Sequence, residues 1–152
     1  MATRLKTGAS ERDLSGLAAQ LRLVITRTAR RLRQEAASDL GPAQTAALAT
    51  IERHGPLTPS ELARIERIQR PTATRIVARL EEAGLVERVA DPADGRSFTV
   101  SATAEARTLM NRLRTRKNAY LARRLRSLDE QDLATLDRAA EILEDLLEGE
   151  RR

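Results

Sequence analysis

Residues Thr58–Val100 decide the fold, and their sequence is TPSELARIERIQRPTATRIVARLEEAGLVERVADPADGRSFTV. The stretch opens on Thr58-Pro59-Ser60-Glu61, where the threonine can cap a helix, the proline suits the first helical position and the glutamate completes a capping box. The sequence therefore predicts a short helix that ends near Glu66, followed by a brief turn over Arg67–Arg70.

A second helix in this stretch is predicted to start at Pro71. Its apolar residues recur at spacings of three and four, which places them on one face of a helix. Gly84 is typical of the left-handed residue that ends helices. The apolar face is predicted to consist of Ala73, Ile76, Val77, Leu80 and Ala83.

The hydrophobic period changes after Gly84. Residues Leu85–Val89 and Ser97–Val100 are typical of two short strands, and turn-forming residues fill Asp91–Gly95 between them. Asp94-Gly95 favours a β-hairpin, with a loop longer than two residues. A short helix, a turn, a second helix and a hairpin in this order predict a winged helix-turn-helix, whose second helix enters the DNA major groove.

Two helices are predicted upstream of this motif. A long amphipathic helix is expected over residues 11–37, where Ser10-Glu11-Arg12-Asp13 fits a capping box at its start. A second helix is expected over Pro42–Arg53, with Leu48 and Ile51 facing inward, and Gly-Pro pairs interrupt the chain on both sides of it.

Two more helices are predicted downstream of the hairpin. One covers Thr103–Arg126, and Ser127-Leu128-Asp129-Glu130 is predicted to form a capping box that starts the last helix. Apolar residues of the last helix alternate spacings of three and four, which is typical of a coiled-coil-like seam. This seam consists of Leu133, Leu136, Ala140, Leu143 and Leu147.

We predict a mostly α (α+β) protein with one winged-helix domain over residues 10–152, preceded by a flexible basic arm over residues 1–9. Residues 38–101 would form the DNA-binding lobe, and residues 10–37 and 103–148 would form dimerisation helices. The first and last helices have a larger apolar surface than the core of one small domain can cover, which indicates a partner subunit. Alternatively, the two terminal helices pack on each other within one chain. The predicted dimer interface comprises Leu14, Leu17, Leu21, Leu133, Leu136, Leu143 and Leu147.

The composition excludes several classes of function. The 152 residues include one His and no Cys, so there is no disulfide, no thiolate metal site and little scope for a nucleophile–base pair. Nucleotide-binding and metal-binding motifs are also missing, so we expect no enzyme, no cofactor and no metal. Since no apolar run approaches membrane-spanning length and no signal core opens the chain, we expect a cytoplasmic protein without a membrane partner.

The basic residues are unevenly distributed. The net charge is +5, and 25 of the 27 basic residues are Arg. A basic balance permits a nucleic-acid partner, yet residues 58–96 hold seven basic and seven acidic residues. Residues 107–126 hold eight basic and no acidic residues, whereas residues 127–150 hold nine acidic and one basic. We expect this contrast to pair the last two helices, or those of two dimer mates.

Side chains suited to DNA gather at the start of the second helix of the motif and at the hairpin. Arginine suits guanine edges, and threonine serves several bases through its hydroxyl and methyl groups. Arg96 can enter a narrow minor groove, and Asp94 can accept hydrogen bonds that hold the hairpin tip rigid. Taken alone, this helix face also fits an ordinary solvated surface. The predicted DNA contacts are Arg70, Thr72, Thr74, Arg75, Arg79, Asp94 and Arg96.

Three stretches in series resemble the MarR family of winged-helix transcriptional regulators. They are GPLTPSELARI at 55–65, RPTATRIVARLEEAGLVER at 70–88 and DPADGRSFTVSAT at 91–103, and the resemblance extends over roughly residues 10–148. The sequence departs from the family at Ala102, where Leu is usual, and at Ala106, where Gly is frequent. These departures affect packing after the hairpin and leave the predicted contacts in place.

The resemblance implies a homodimer of interleaved first and last helices on pseudo-palindromic double-stranded DNA. It places Thr72, Thr74 and Arg75 on the helix that meets the bases, and Asp94 and Arg96 on the wing. It also implies a repressor that a small anionic or phenolic ligand releases from DNA. The peroxide-sensing branch of the family uses a cysteine, so its mechanism is excluded for this chain.

The sequence assigns no residue to ligand binding. The resemblance brings Arg30, Arg53, His54 and Tyr120 near the family's ligand pocket, but each of them also has an ordinary structural interpretation. Two other functions stay open, namely a DNA-binding regulator without a ligand and a winged-helix module that binds protein.

Overall fold

The computed structural model describes residues 11–90, Asp94 and residues 97–149. Within them the chain forms six helices and one two-stranded antiparallel sheet. The predicted basic arm, the Ser10 cap and Arg96 lie outside the described residues. In chain order the elements are α1 (Glu11–Glu35), α2 (Pro42–His54), α3 (Pro59–Glu66), α4 (Arg70–Glu82), β1 (Val86–Ala90), β2 (Phe98–Ala102), α5 (Ala104–Leu125) and α6 (Glu130–Gly149).

The chain divides into two units, with the boundary between Ala37 and Ser38. The first unit contains α1, an amphipathic helix that ends two residues before the predicted position 37. The apolar stripe of α1 includes Leu14, Leu17, Leu21 and Val24, all of which are exposed.

The second unit contains α2 to α6 and the sheet, and its core lies among α2, α3, α4, β2 and α5. Leu48 and Ile51 of α2 are buried as predicted, and Leu62 of α3 is fully enclosed. The other large side chains that this core fully encloses are Val77, Leu80, Val100 and Leu113. Each such residue gains about 1.5–3 kcal/mol from burial, so these contacts fix the positions of the short helices.

The start of α3 follows the predicted capping box. The backbone amide of Glu61 donates to Thr58 Oγ1 at 3.2 Å, and the Thr58 amide donates to Glu61 Oε2 at 2.8 Å. The hydrogen bond from the Thr58 backbone, reinforced by the Thr58 hydroxyl, lowers the pKa of Glu61. The carboxylate therefore satisfies a helix-end amide that has no partner within the helix.

The end of α4 follows the prediction for Gly84 but not for Ala83. Gly84 has a φ of +71°, its amide donates to Glu81 O at 2.9 Å, and the Leu85 amide donates to Leu80 O at 2.9 Å. These two bonds form a Schellman motif. The prediction that Ala83 belongs to the buried face was wrong, because Ala83 already follows the last residue of α4 and is exposed.

Both strands start one residue later than predicted. The Leu85 amide closes the end of α4, so Leu85 contributes only its carbonyl to the sheet, where it accepts from the Thr103 amide at 3.1 Å in line with the strand register. The register pairs Val86 with Ala102 and Ala90 with Phe98. Leu57 adds two further backbone bonds to Val100, which attaches the segment before α3 to the sheet.

The predicted cap of the last helix was wrong by two residues. Ser127 Oγ donates to Arg124 O at 2.8 Å and so belongs to the turn after α5. Asp129 caps α6 instead, because its Oδ1 accepts from the Asp132 amide at 2.8 Å. The carboxylate provides both the acceptor and a negative charge at the positive end of the helix dipole.

The last two helices differ in how they pack. Ala106, Met110 and Leu113 of α5 are buried in the core, whereas none of the described residues of α6 is buried. Between described residues, no ion pair joins α5 to α6, and Arg114 of α5 pairs with Glu52 of α2 instead. The basic residues of α5 and the acidic residues of α6 therefore form no ion pairs with each other within the described part of this chain.

Removing the cap of α3 tests this account of the helix start. Thr58→Ala should lower the free energy of unfolding by about 1 kcal/mol, measured by urea denaturation. Thr108→Ala is the matched control, since Thr108 lies on an exposed face inside α5 and bonds only its own helix. Equal effects of the two substitutions would contradict the capping role.

The same cap predicts a pH dependence. Because the folded-state pKa of Glu61 is lowered, its contribution to stability is complete above the unfolded pKa, about 4.3, and is lost as the pH falls through the folded-state value. The stability difference between wild type and Glu61→Gln should therefore vanish in acid. A difference that is constant from pH 7 to pH 2 would argue against it.

Candidate nucleic-acid interface

A tight turn joins α3 to α4. Arg67 ends α3 in the left-handed conformation, with φ of 53° and ψ of 43°, and the Ile68 amide donates to Ala63 O at 2.9 Å. Gln69 occupies the N-cap position of α4 without a side-chain capping bond, and its carbonyl accepts from the amides of Thr72 and Ala73. The turn is thus shorter than predicted, and Arg70 is the first residue of α4 rather than part of the turn.

The buried side of α4 determines which side chains face outward. Ala73, Ile76, Val77 and Leu80 are all buried, as predicted. The opposite side, called the reading face below, carries five of the residues predicted from the sequence to contact DNA. Arg70, Thr74, Arg75 and Arg79 are exposed and Thr72 is half-buried.

One threonine of the reading face, Thr74, uses part of its hydrogen-bonding capacity within its own helix. Thr74 Oγ1 donates to Arg70 O at 3.1 Å, so its hydroxyl hydrogen is used within the helix. The Thr74 hydroxyl can still accept a hydrogen bond, and its methyl group can contact a thymine methyl. The geometry thus favours Thr74 as an acceptor or an apolar contact rather than as a donor.

The hairpin is attached to α4 through Arg88, which the sequence analysis missed. Arg88 Nε pairs with Glu81 Oε2 at 2.7 Å, and its guanidinium lies 4.5 Å from the centre of the Phe98 ring. Arg88 pairs with Val100 in the ladder, so Phe98 is its diagonal neighbour on the same face of the sheet. Strand register was the signal that could have identified this contact.

The hairpin loop is described only in part. The Ser97 amide donates to the carbonyl of Asp94 at 2.8 Å, which is the i to i+3 hydrogen bond typical of a β-turn. Asp94 is exposed and takes part in a further interaction. Because Arg96 lies outside the described residues, the predicted Asp94–Arg96 arrangement stays a prediction.

Two polar contacts fix α2 beneath the helix-turn-helix, and neither was predicted. Arg114 donates hydrogen bonds from both terminal nitrogens to the Glu52 carboxylate. It also donates to Asn111 Oδ1 at 2.9 Å. The Thr50 hydroxyl donates to Glu66 Oε1, which ties α2 to α3. Such contacts join residues far apart in the chain, so no local sequence pattern reveals them.

The acidic and basic side chains of the lobe differ in their partners. Four carboxylates are held by structural partners: Glu52 by Arg114, Glu61 by Thr58, Glu66 by Thr50 and Glu81 by Arg88. Arg70, Arg75 and Arg79, by contrast, form no ion pair with any described residue. The reading face is therefore cationic even though residues 58–96 have no net charge, and a cationic face suits a polyanion.

The fold and this face define a winged helix-turn-helix protein. Among the residues that the structure describes, no group of His, Asp and Glu side chains could hold a metal ion. A search of the same residues found no helix with the length and apolar character needed to cross a membrane.

Comparison with known proteins identifies the family. The pattern that defines the MarR family matches residues 38–97. An HTH-type transcriptional regulator of Mycobacterium tuberculosis is 34% identical over 128 residues, covering 84% of this chain and 90% of the relative. The chain therefore belongs to the MarR family of transcriptional regulators, whose members bind DNA and are not enzymes.

Solved structures agree with this assignment. A crystal structure of a Pseudomonas aeruginosa protein superposes with a TM-score of 0.82 at 36% identity and covers 91% of this chain and 97% of that one. Streptococcus pneumoniae FabT, crystallised in complex with DNA, superposes with a TM-score of 0.62 at 20% identity, over 91% of this chain and 97% of that one. The second likeness concerns the fold alone.

Adjacent residues of α4 test the assignment of its two sides. Leu80→Ala should cost about 2–5 kcal/mol of unfolding free energy, because Leu80 is fully buried. Arg79→Ala should change it by no more than about 0.5 kcal/mol, because Arg79 is exposed and unpaired among the described residues. Chemical denaturation measures both, and a large loss at Arg79 would contradict the exposed reading face.

Proposed function

We propose that this protein is a sequence-specific, double-stranded DNA-binding repressor that acts as a homodimer and is released by a small ligand. The observation that carries the proposal is the reading face of α4, a cationic and hydroxyl-bearing surface fixed by a buried apolar side. Membership of a family of DNA-binding regulators supports it further.

The DNA contacts are proposed residue by residue. Arg70, Thr72 and Thr74 lie in the first turns of α4, where a recognition helix meets base edges. Arg75 and Arg79 continue the same face, and a guanidinium there can bind guanine O6 and N7 with two hydrogen bonds. At the wing, Arg96 would enter the minor groove while Asp94 orders the hairpin tip.

The homodimer is proposed from two unpartnered apolar surfaces. Leu14, Leu17 and Leu21 of α1 are exposed, and so are Leu133, Leu136 and Leu147 of α6. Exposed apolar patches of this kind mark interaction surfaces. In this proposal residues 10–37 and 103–148 dimerise, with Leu143 completing the α6 seam, and residues 38–101 bind DNA.

A groove and a charge contrast also favour a second copy as the partner. An open cavity of about 570 Å³ between the end of α5 and α6 is lined by Leu125, Leu133 and Leu136, with carboxylates of Glu130 and Asp137 beside them. Such a groove fits a helix that has apolar side chains and basic side chains next to them. A second copy offers basic side chains, because residues 107–126 contain eight basic and no acidic residues.

The proposed ligand is a small molecule that binds this protein and releases it from DNA. Family membership supports a small anionic or phenolic molecule, and any exposed arginine can pair with an anion. Of the four residues weighed from the sequence, Tyr120 is half-buried beside Arg123 and Arg124, with guanidinium-to-ring distances of 5.8 and 5.3 Å. If release from DNA fails with every such ligand, the protein is a ligand-independent regulator.

Selection from random duplexes tests the proposed function directly. Wild type should enrich a pseudo-palindrome with half-site centres about one helical turn apart, roughly 34–36 Å. No enrichment over bulk DNA at moderate salt would overturn the specific-regulator proposal. It would favour instead a winged helix that binds protein, for which the acidic α6 is a suitable surface.

Two arginine substitutions separate base recognition from wing contacts. Arg75→Ala should weaken binding to the selected site by about 1–3 kcal/mol and relax the base preference, because it removes a base contact. Arg96→Ala should weaken binding with a smaller change in preference. Binding by titration at fixed salt checks both, and wild-type behaviour of both variants would overturn the placement of helix and wing.

Charges within the α6 seam test the homodimer. Leu136→Glu combined with Leu143→Glu should convert the dimer to monomer in sedimentation, because four carboxylates per dimer would enter an apolar seam. Gln131→Glu combined with Thr135→Glu is the matched control, since it adds the same charges outside the seam. A dimer that survives the first pair would reject this interface.

A further inference from the structure

The turn between α3 and α4 contains an arginine in an unfavourable backbone conformation. Arg67 has a φ of 53°, and it is the only residue other than glycine with positive φ among those the structure describes. The left-handed region is unfavourable for an L-residue because its Cβ approaches the backbone. Glycine has no Cβ and adopts this region without that cost. The conformation at Arg67 is therefore a source of strain that needs an explanation.

Gly84 provides an internal comparison. Both residues occupy the left-handed position of the same motif, in which the next amide donates back to the last helical turn: Leu85 to Leu80 O after α4, and Ile68 to Ala63 O after α3. At the end of α4 the sequence uses glycine for this position, and at the end of α3 it uses arginine. The backbone geometry alone would be served better by glycine at both.

The surroundings of Arg67 leave its charge available. Arg67 is exposed and forms no ion pair with any described residue. The neighbouring carboxylate of Glu66 accepts from the Thr50 hydroxyl of α2 and forms no ion pair with Arg67. Arg70, which starts α4, is also exposed and unpaired among the described residues, so two guanidiniums flank the start of the reading face.

We propose that Arg67 is a further DNA-binding residue, which contacts a phosphate next to the bases met by α4. The inference rests on the proposed function, because it assumes that the start of α4 enters the major groove. The turn lies immediately before that start, where backbone phosphates border the groove. Arg67 thus contributes affinity and register but no base preference, at the expense of the stability that glycine would give.

Arg67→Gly tests the proposal through two effects of opposite sign. Thermal unfolding should shift upward by about 2–4 °C, because the strain is relieved. Affinity for both a selected site and an unrelated duplex should fall by a similar factor, about 3–10-fold. The slope of log K against log salt should become shallower by about 0.9 for each protomer bound, since one phosphate contact is lost per protomer.

Two controls separate charge from backbone. Arg67→Asn removes the charge and tolerates the left-handed conformation, so its salt slope should match that of Arg67→Gly. Arg67→Lys retains the charge, and its slope should match wild type. A wild-type salt slope in Arg67→Gly, with or without the rise in melting temperature, would overturn the proposal.

The outcome also separates this inference from the proposed function. If Arg75→Ala relaxes the base preference while Arg67→Gly keeps the wild-type salt slope, the proposed function stands and the role of Arg67 fails. If wild type prefers no duplex sequence, the proposed function fails; a salt slope that becomes shallower in Arg67→Gly would still support a phosphate contact at Arg67.

Discussion

The burial of one side of α4 is the constraint on which the rest of the structure depends. Ala73, Ile76, Val77 and Leu80 are enclosed by the core, so the helix cannot rotate about its axis without exposing them. Because a helix advances 100° per residue, fixing these four also fixes the side chains between them. The direction of the reading face follows from apolar packing, and its arginines need no partner within the lobe.

Electrostatics then acts on a geometry that packing has already set. The lobe, residues 38–101, has a net charge of −1, and Glu52, Glu66 and Glu81 are engaged by contacts that hold α2, α3 and the hairpin in place. Those carboxylates contribute to structure, and none of them pairs with Arg70, Arg75 or Arg79, so the reading face stays cationic. Net charge is thus a poor guide to DNA binding in this protein, whereas the partner of each carboxylate is informative. The total of +5 arises entirely from residues outside the lobe.

The sequence predicted what local physics decides. The capping box at Thr58 and the left-handed Gly84 were correct because each depends on residues within one helical turn, and the winged helix followed from their order. The errors at Ala83, Leu85 and Ser127 all lie at helix ends, where a shift of one or two residues changes which face, strand or cap a residue belongs to. The Arg88 contact requires the strand register, which the sequence analysis did not assign, and the Arg114 contact joins two helices that are distant in the chain. Arg67 was visible only once its φ angle was known.

The exposed leucines of α6 connect the terminal helices to function. The leucine seam of α6 is not buried by any described part of the chain. Because exposed apolar area is unfavourable in water, covering this seam with another surface would be stabilising. If that surface is a second copy, two reading faces are held at one fixed separation, and a rigid pair of helices selects operators by half-site spacing as well as by base sequence. Phosphate contacts beside each helix would strengthen this selection, because they fix the register of the helix in its groove. Specificity would then depend on the packing of α6 as much as on the side chains of α4.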